Sequence, residues 1–139
     1  MKLLDINGKL VNVDVRPSKY PIKECSRSNL QGQTGQYLIE LFPMDVILED
    51  FILPGSRLSV DFFIPKRKTA IEVQGRQHLE RVDHFHGPVT NFGYKKQLNR
   101  DQNKLEWCLL NKISLIEIFE LKDLKTLKIR FNVKINRNT

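Results

Sequence analysis

Between Val46 and Gln74 the apolar residues come in short blocks of β-branched and aromatic side chains divided by turn residues, which is the pattern of strands. Val46 to Leu53 predicts one strand, Pro54-Gly55 a turn, Leu58 to Pro65 a second strand, and Thr69 to Gln74 a third. The basic turn Lys66-Arg67-Lys68 joins the last two as a hairpin. Upstream the period changes. Leu30, Thr34, Tyr37, Leu38, Leu41 and Phe42 recur at helical spacing, with Ser28 or Asn29 as N-cap, Pro43 as the stop, and Gly32 and Gly35 lowering the propensity in between. Leu98, Leu105, Cys108 and Leu109 predict a second amphipathic helix from about Phe92 to Asn111, and Ile113 to Phe119 a final core strand. Met1 to Val15 alternates around Asn7-Gly8 and predicts a small hairpin; Arg16 to Cys25, with Pro17 and Pro21, predicts an irregular connector. Phe85-His86-Gly87-Pro88 marks a long loop, and the tail from Leu121 to Thr139 a short helix followed by a strand, Lys128 to Ile135.

The resulting order of helix, three strands, helix and strand defines an α/β fold in which helices flank one sheet. At 139 residues the chain makes one compact domain: residues 1–25 as N-terminal hairpin and connector, 26–119 as core, and 120–139 as a basic extension. Its composition, 40% hydrophobic and 28% charged, is that of a globular protein.

Two acids break this apolar pattern. Asp61 and Glu72 stand inside strands whose other residues are suited to a core, and a hairpin brings them to one spot. Such acids are costly to bury unless paired with a cation, so they form either a salt bridge with Arg or Lys or a metal site. Two carboxylates suffice for Mg²⁺, which keeps several waters, whereas zinc favours nitrogen and sulfur donors. A metal held this way neutralises a phosphodiester and acidifies water. The net charge of +7 makes an anionic polymer a natural partner. Cys25 and Cys108 show no Cys-x-x-Cys spacing and no secretory leader follows Met1, so a cytoplasmic location is expected; no run reaches membrane-spanning length.

Asp61, followed after ten residues by Glu72-Val73-Gln74, resembles the PD-(D/E)XK nuclease signature. Ile71-Glu72-Val73-Gln74-Gly75-Arg76-Gln77-His78 resembles the phage-encoded and very-short-patch-like branch of that superfamily, as do Phe85-His86-Gly87, Arg100-Asp101-x-x-Lys104 with Cys108, and Ile113-x-Leu115-Ile116-Glu117-Ile118. The resemblance spans roughly residues 26–119. It implies a restriction-endonuclease-like core and a Mg²⁺- or Mn²⁺-dependent DNA endonuclease of homing or structure-specific type. Within it Asp61, Glu72 and the Val73 carbonyl would hold the metal, and Gln74 would occupy the place of the usual lysine. Val60 stands where a proline is common. Because a neutral amide at 74 cannot supply positive charge to a transition state, a catalytically silent nucleic-acid-binding module on the same fold stays open. Host cytoplasm follows if the gene is phage-encoded.

Other residues carry two readings each. His78 would protonate a leaving group or position water, or else bond backbone as a loop histidine. His84 and His86 alternate without a third ligand nearby. For the acid that the first helix often supplies, Gln31 and Glu40 are the accessory candidates. Asp101 and Lys104 share a helix face, either as an ion pair or, by the resemblance, with Lys104 as a phosphate contact or an aid to the site. Lys95, Lys96 and Arg100, with the tail residues Lys122, Lys125, Lys128, Arg130, Lys134 and Arg137, would track a DNA backbone or form a solvated face. Cutting both strands would suit a homodimer, by analogy alone.

Overall fold

The computed structural model describes residues 1–23, 29–74 and 88–130, with the side chains of residues 29, 88–98 and 128–130 excepted. A four-stranded sheet forms its centre, in the order β3 (Leu48–Ile52), β4 (Ser59–Ile64), β5 (Thr69–Val73) and β6 (Ser114–Ile118). The first three strands are antiparallel neighbours, whereas β6 runs parallel to β5. A separate hairpin, β1 (Lys2–Leu4) with β2 (Leu10–Asn12), turns at Asn7-Gly8 as its sequence predicts. Helices α1 (Asn29–Leu41), α2 (Pro88–Leu110) and α3 (Lys122–Arg130) complete the mixed α/β fold. The sequence order of helix, three strands, helix and strand is therefore present from α1 to β6.

Alternation along the strands divides the apolar side chains between the two faces of the sheet. Phe62, Ile64, Ile71, Ile116 and Ile118 pack with Leu38, Leu41 and Phe42 of α1 and with Leu124 and Leu127 of α3. Phe63 and Ala70 turn the other way and pack with Trp107 and Cys108 of α2 and with Leu3 of the hairpin. Asp50, at a left-handed φ of 54°, interrupts the alternation in β3, so Leu48 and Phe51 join the same α2-side cluster. Gly35 lets α1 approach the sheet closely: a Cβ there would lie 3.2 Å from Phe62 Cζ.

Several element ends differ from the sequence reading for identifiable reasons. Helix α2 begins at Pro88 rather than near Phe92, since proline is preorganised for the first helical position and lacks only an N–H that would be unpaired there. Its far end is at Leu110, with Lys112 left-handed at φ 57°. Pro65–Arg67 winds into one 3₁₀ turn within the basic loop. Residues 128–130 continue α3 instead of opening a strand, because Leu124 and Leu127 already commit this segment to a helical face against the core. Residues 131–139, with Lys134 and Arg137, lie outside the described residues. Among the described residues no helix is long and apolar enough to cross a membrane.

Candidate metal and phosphate site

Strands β4 and β5 pair regularly from Ile64↔Thr69 to Phe62↔Ile71, and the site lies one step beyond. There the ladder gives way to side chains. The Asp61 N–H donates to Glu72 Oε2 at 3.1 Å, and the Val73 N–H donates to Asp61 Oδ2 at 2.6 Å. Each carboxylate thus fills a hydrogen-bonding place that the opposite backbone leaves vacant, which satisfies polar groups inside an otherwise apolar sheet. A residue's N–H and C=O leave an extended strand on the same edge, so the Val73 carbonyl is directed to the Asp61 side as well.

The pair is enclosed. Glu72 is 6% exposed and stands on the α2 side of the sheet with Ala70, next to the Glu117 carboxylate in the parallel register Glu72↔Glu117. Burial, reinforced by the adjacent Glu72 carboxylate, pushes Asp61 up to about 7, against the opposing pull of the Val73 N–H and Lys104. Helix α2 supplies the compensating cation: Lys104 Nζ meets Glu72 Oε1 at 2.5 Å, with 17% and 8% of the two side chains exposed. One turn on, the Cys108 thiol is pushed up to about 12 by burial and by Glu72, so it stays protonated.

Glu72, Gln74, Asp101, Gln102, Lys104, Leu105, Leu115 and Glu117 line a cleft of about 180 Å³ between α2 and the sheet. The structure thereby brings together Asp61, Glu72, Val73, Gln74, Asp101 and Lys104 of the sequence candidates. Gln74 donates its amide to Glu117 Oε2 at 3.1 Å. Gln31 is buried on α1 and donates its amide to Glu49 Oε2 at 2.8 Å. Glu40 is exposed, nine residues further along that helix, or about 13 Å at 1.5 Å per residue. Arg100 is exposed on α2. Lys95 and Lys96 lie in the same helix but their side chains are outside the described residues, as are His78, His84 and His86 altogether.

Sequence reading missed two acids. Glu49 is 3% exposed and accepts the Lys23 N–H through Oε1 at 2.8 Å as well as the Gln31 amide. Its signal was the one Asp61 gave, an acid inside the apolar run Ile47 to Leu53. Glu117, adjacent to Glu72 across the parallel pair, is exposed and reads in sequence as an ordinary outward-facing strand residue.

The donor set fits a hard divalent cation. Two carboxylates and a backbone carbonyl are oxygen donors of the kind Mg²⁺ or Mn²⁺ prefers, but among the described residues no third His, Cys, Asp or Glu side chain joins them in a metal-holding group. Water would have to complete the coordination.

No protein-family model matches the chain, and no solved structure matches it. Two curated viral proteins do. "Uncharacterized protein 307L" of Invertebrate iridescent virus 6 is 34% identical over 70 residues, covering 50% of this chain and 34% of the relative. "Uncharacterized protein 094L" of Frog virus 3 (isolate Goorha) is 40% identical over 72 residues, covering 51% of this chain and 46% of the relative. The match therefore extends over less than half the length of either relative.

Proposed function

We propose that the chain is a metal-dependent endonuclease acting on DNA, built on a restriction-endonuclease-like core, with Asp61, Glu72 and the Val73 carbonyl as the ligands of Mg²⁺ or Mn²⁺. The observation that carries this reading is the meeting of a buried carboxylate, Glu72, with the half-buried Asp61 where β4 and β5 part, each bonded to the backbone beside the other. A stabilising role alone would be served as well by apolar residues, since bringing two carboxylates together inside the sheet is costly even with Lys104 offsetting one charge. The bound cation would supply neutralisation of the phosphodiester and acidification of water.

The chain's own residues divide the remaining work. Asp61 and Glu72 fix the place of the cation. Lys104 supplies, from α2, the positive charge that Gln74 cannot, and Gln74 is oriented by Glu117 at the cleft wall. Arg100, with Lys95 and Lys96, would hold the phosphate backbone alongside. His78 is the proposed proton carrier for the leaving group. Cutting of both strands would call for a homodimer.

Plasmid, branched and mismatched DNA incubated with Mg²⁺ test the proposal. Cleavage is expected, lost on chelation and restored by Mg²⁺ or Mn²⁺, with Ca²⁺ supporting binding but little cutting. Asp61→Asn and Glu72→Gln should each abolish it while DNA binding survives. Cleavage that persists in both variants, or ignores the chelator, refutes the mechanism. A second reading, a catalytically silent DNA-binding module, draws on the engagement of Glu72 by Lys104 and of Gln74 by Glu117. It predicts salt-sensitive binding without cleavage under every metal.

A further inference from the structure

We propose that Lys104 is the resident counter-ion of the two-carboxylate site, and that loading a divalent cation expels its ammonium from Glu72 into the outer cleft. The inference rests on the metal-site reading above and adds a competition between two cations for one oxygen. Lys104 Nζ sits on Glu72 Oε1 while Glu72 Oε2 accepts the Asp61 N–H, so both oxygens of the central carboxylate are engaged. A divalent cation held by Asp61 and Glu72 would have to share Glu72 with one of those two partners or displace it. Of the two occupants, the side-chain ammonium at the end of a flexible four-carbon stem moves more readily than a strand amide. A divalent ion and the Lys104 ammonium repel each other strongly at close range in these partly buried surroundings, so the two compete for the site.

The cleft provides a destination. Asp101, one turn earlier on α2, and Glu117, beside Glu72 across β5 and β6, line the same space as Lys104. The ammonium therefore leaves one carboxylate for the neighbourhood of two others and is not stranded in an apolar wall. The move would also carry its charge outward, to the side of the cleft from which an anionic substrate approaches. Metal loading and substrate attraction would then be coupled through one side chain, with Lys104 acting as a positioning residue.

Calorimetric titration of Mg²⁺ into the full chain at pH 8, without DNA, separates the possibilities. Lys104→Met should bind Mg²⁺ roughly tenfold more tightly than wild type or better, because the competitor is gone, while being less thermally stable than wild type in chelator and recovering on adding Mg²⁺. Lys104→Arg should stay near the wild-type affinity. Affinity that is unchanged or weaker in Lys104→Met overturns the competition. Should that variant not fold, the wild-type protein labelled at lysine answers the same question by NMR: the Lys104 ammonium and Cε signals must shift on Mg²⁺ addition, and their constancy overturns the proposal. Wild type that binds Mg²⁺ through Glu72, as shown by loss in Glu72→Gln, keeps the metal-site reading even when the Lys104 result is negative. Absence of Mg²⁺ binding in wild type overturns both.

Discussion

Replacing Asp61 by Asn removes a half-buried titrating carboxyl while keeping an acceptor for the Val73 N–H and adding a donor toward Glu72. The Asp61 carboxyl is raised from an ordinary 3.8 to about 7, first by burial and then by Glu72. Between those values the native chain holds a proton that the unfolded chain has released. Stability therefore falls as pH rises, being fully present below about 4 and lost once the pH passes about 7. At about 1.36 kcal/mol per pKa unit, the interval corresponds to on the order of 4 kcal/mol. Urea unfolding in chelator, followed by the fluorescence of the single tryptophan, Trp107, should show this at pH 4 to 8.5. Titrations common to both proteins cancel in the difference between wild type and Asp61→Asn, which should grow in favour of the variant by that order across the window. With Mg²⁺ present above pH 7 the ranking should reverse, because only wild type retains both ligands. Parallel pH profiles in chelator would show that Asp61 is an ordinary solvated acid and would remove the basis for a carboxylate pair.

Cys108, buried and with its thiol held up to about 12, should resist alkylation by iodoacetamide in the native protein at pH 8 and react fully in urea; native labelling at the unfolded rate would contradict its placement behind Glu72. Reversing Lys95, Lys96 and Arg100 together to Glu should weaken DNA binding and lower the slope of log affinity against log salt by about 2 to 3, measured by fluorescence anisotropy. An unchanged slope would move the DNA-binding face away from α2.

The parts of the fold legible in sequence are those governed by short-range chemistry. Alternation across Phe62, Phe63, Ala70 and Ile71 already separates the two faces of the sheet, and Pro54-Gly55 closes a turn with the Ser56 N–H on the Leu53 carbonyl at 3.1 Å and Gly55 at φ +82°. The juxtaposition of Asp61 with Glu72 follows from hairpin register, so it was also legible. Contacts between distant segments were not. That Lys104 lands on Glu72, 32 residues away, depends on the docking of α2 over the sheet. Nor does spacing within the chain disclose that Gln31 of α1 binds Glu49 of β3, 18 residues on, and not the carboxylate pair. The strand expected over Lys128 to Ile135 does not begin at Lys128, because burial of Leu124 and Leu127 carries the helix through residues 128–130; the rest of that stretch lies outside the described residues.

The N-terminal hairpin is tied to the far end of the helix that carries Lys104. The Leu4 carbonyl accepts both Trp107 Nε1 at 2.8 Å and the Asn111 side-chain amide at 3.0 Å, while the Leu4 N–H donates to Asn111 Oδ1 at 2.7 Å, across 103 and 107 residues. During synthesis the hairpin thus emerges long before its anchor, and it must wait undocked for the hundred or so residues that separate it from Trp107 and Asn111. Its docking then clamps α2, so the cleft acquires its final geometry only after the segment carrying Trp107 and Asn111 has been made.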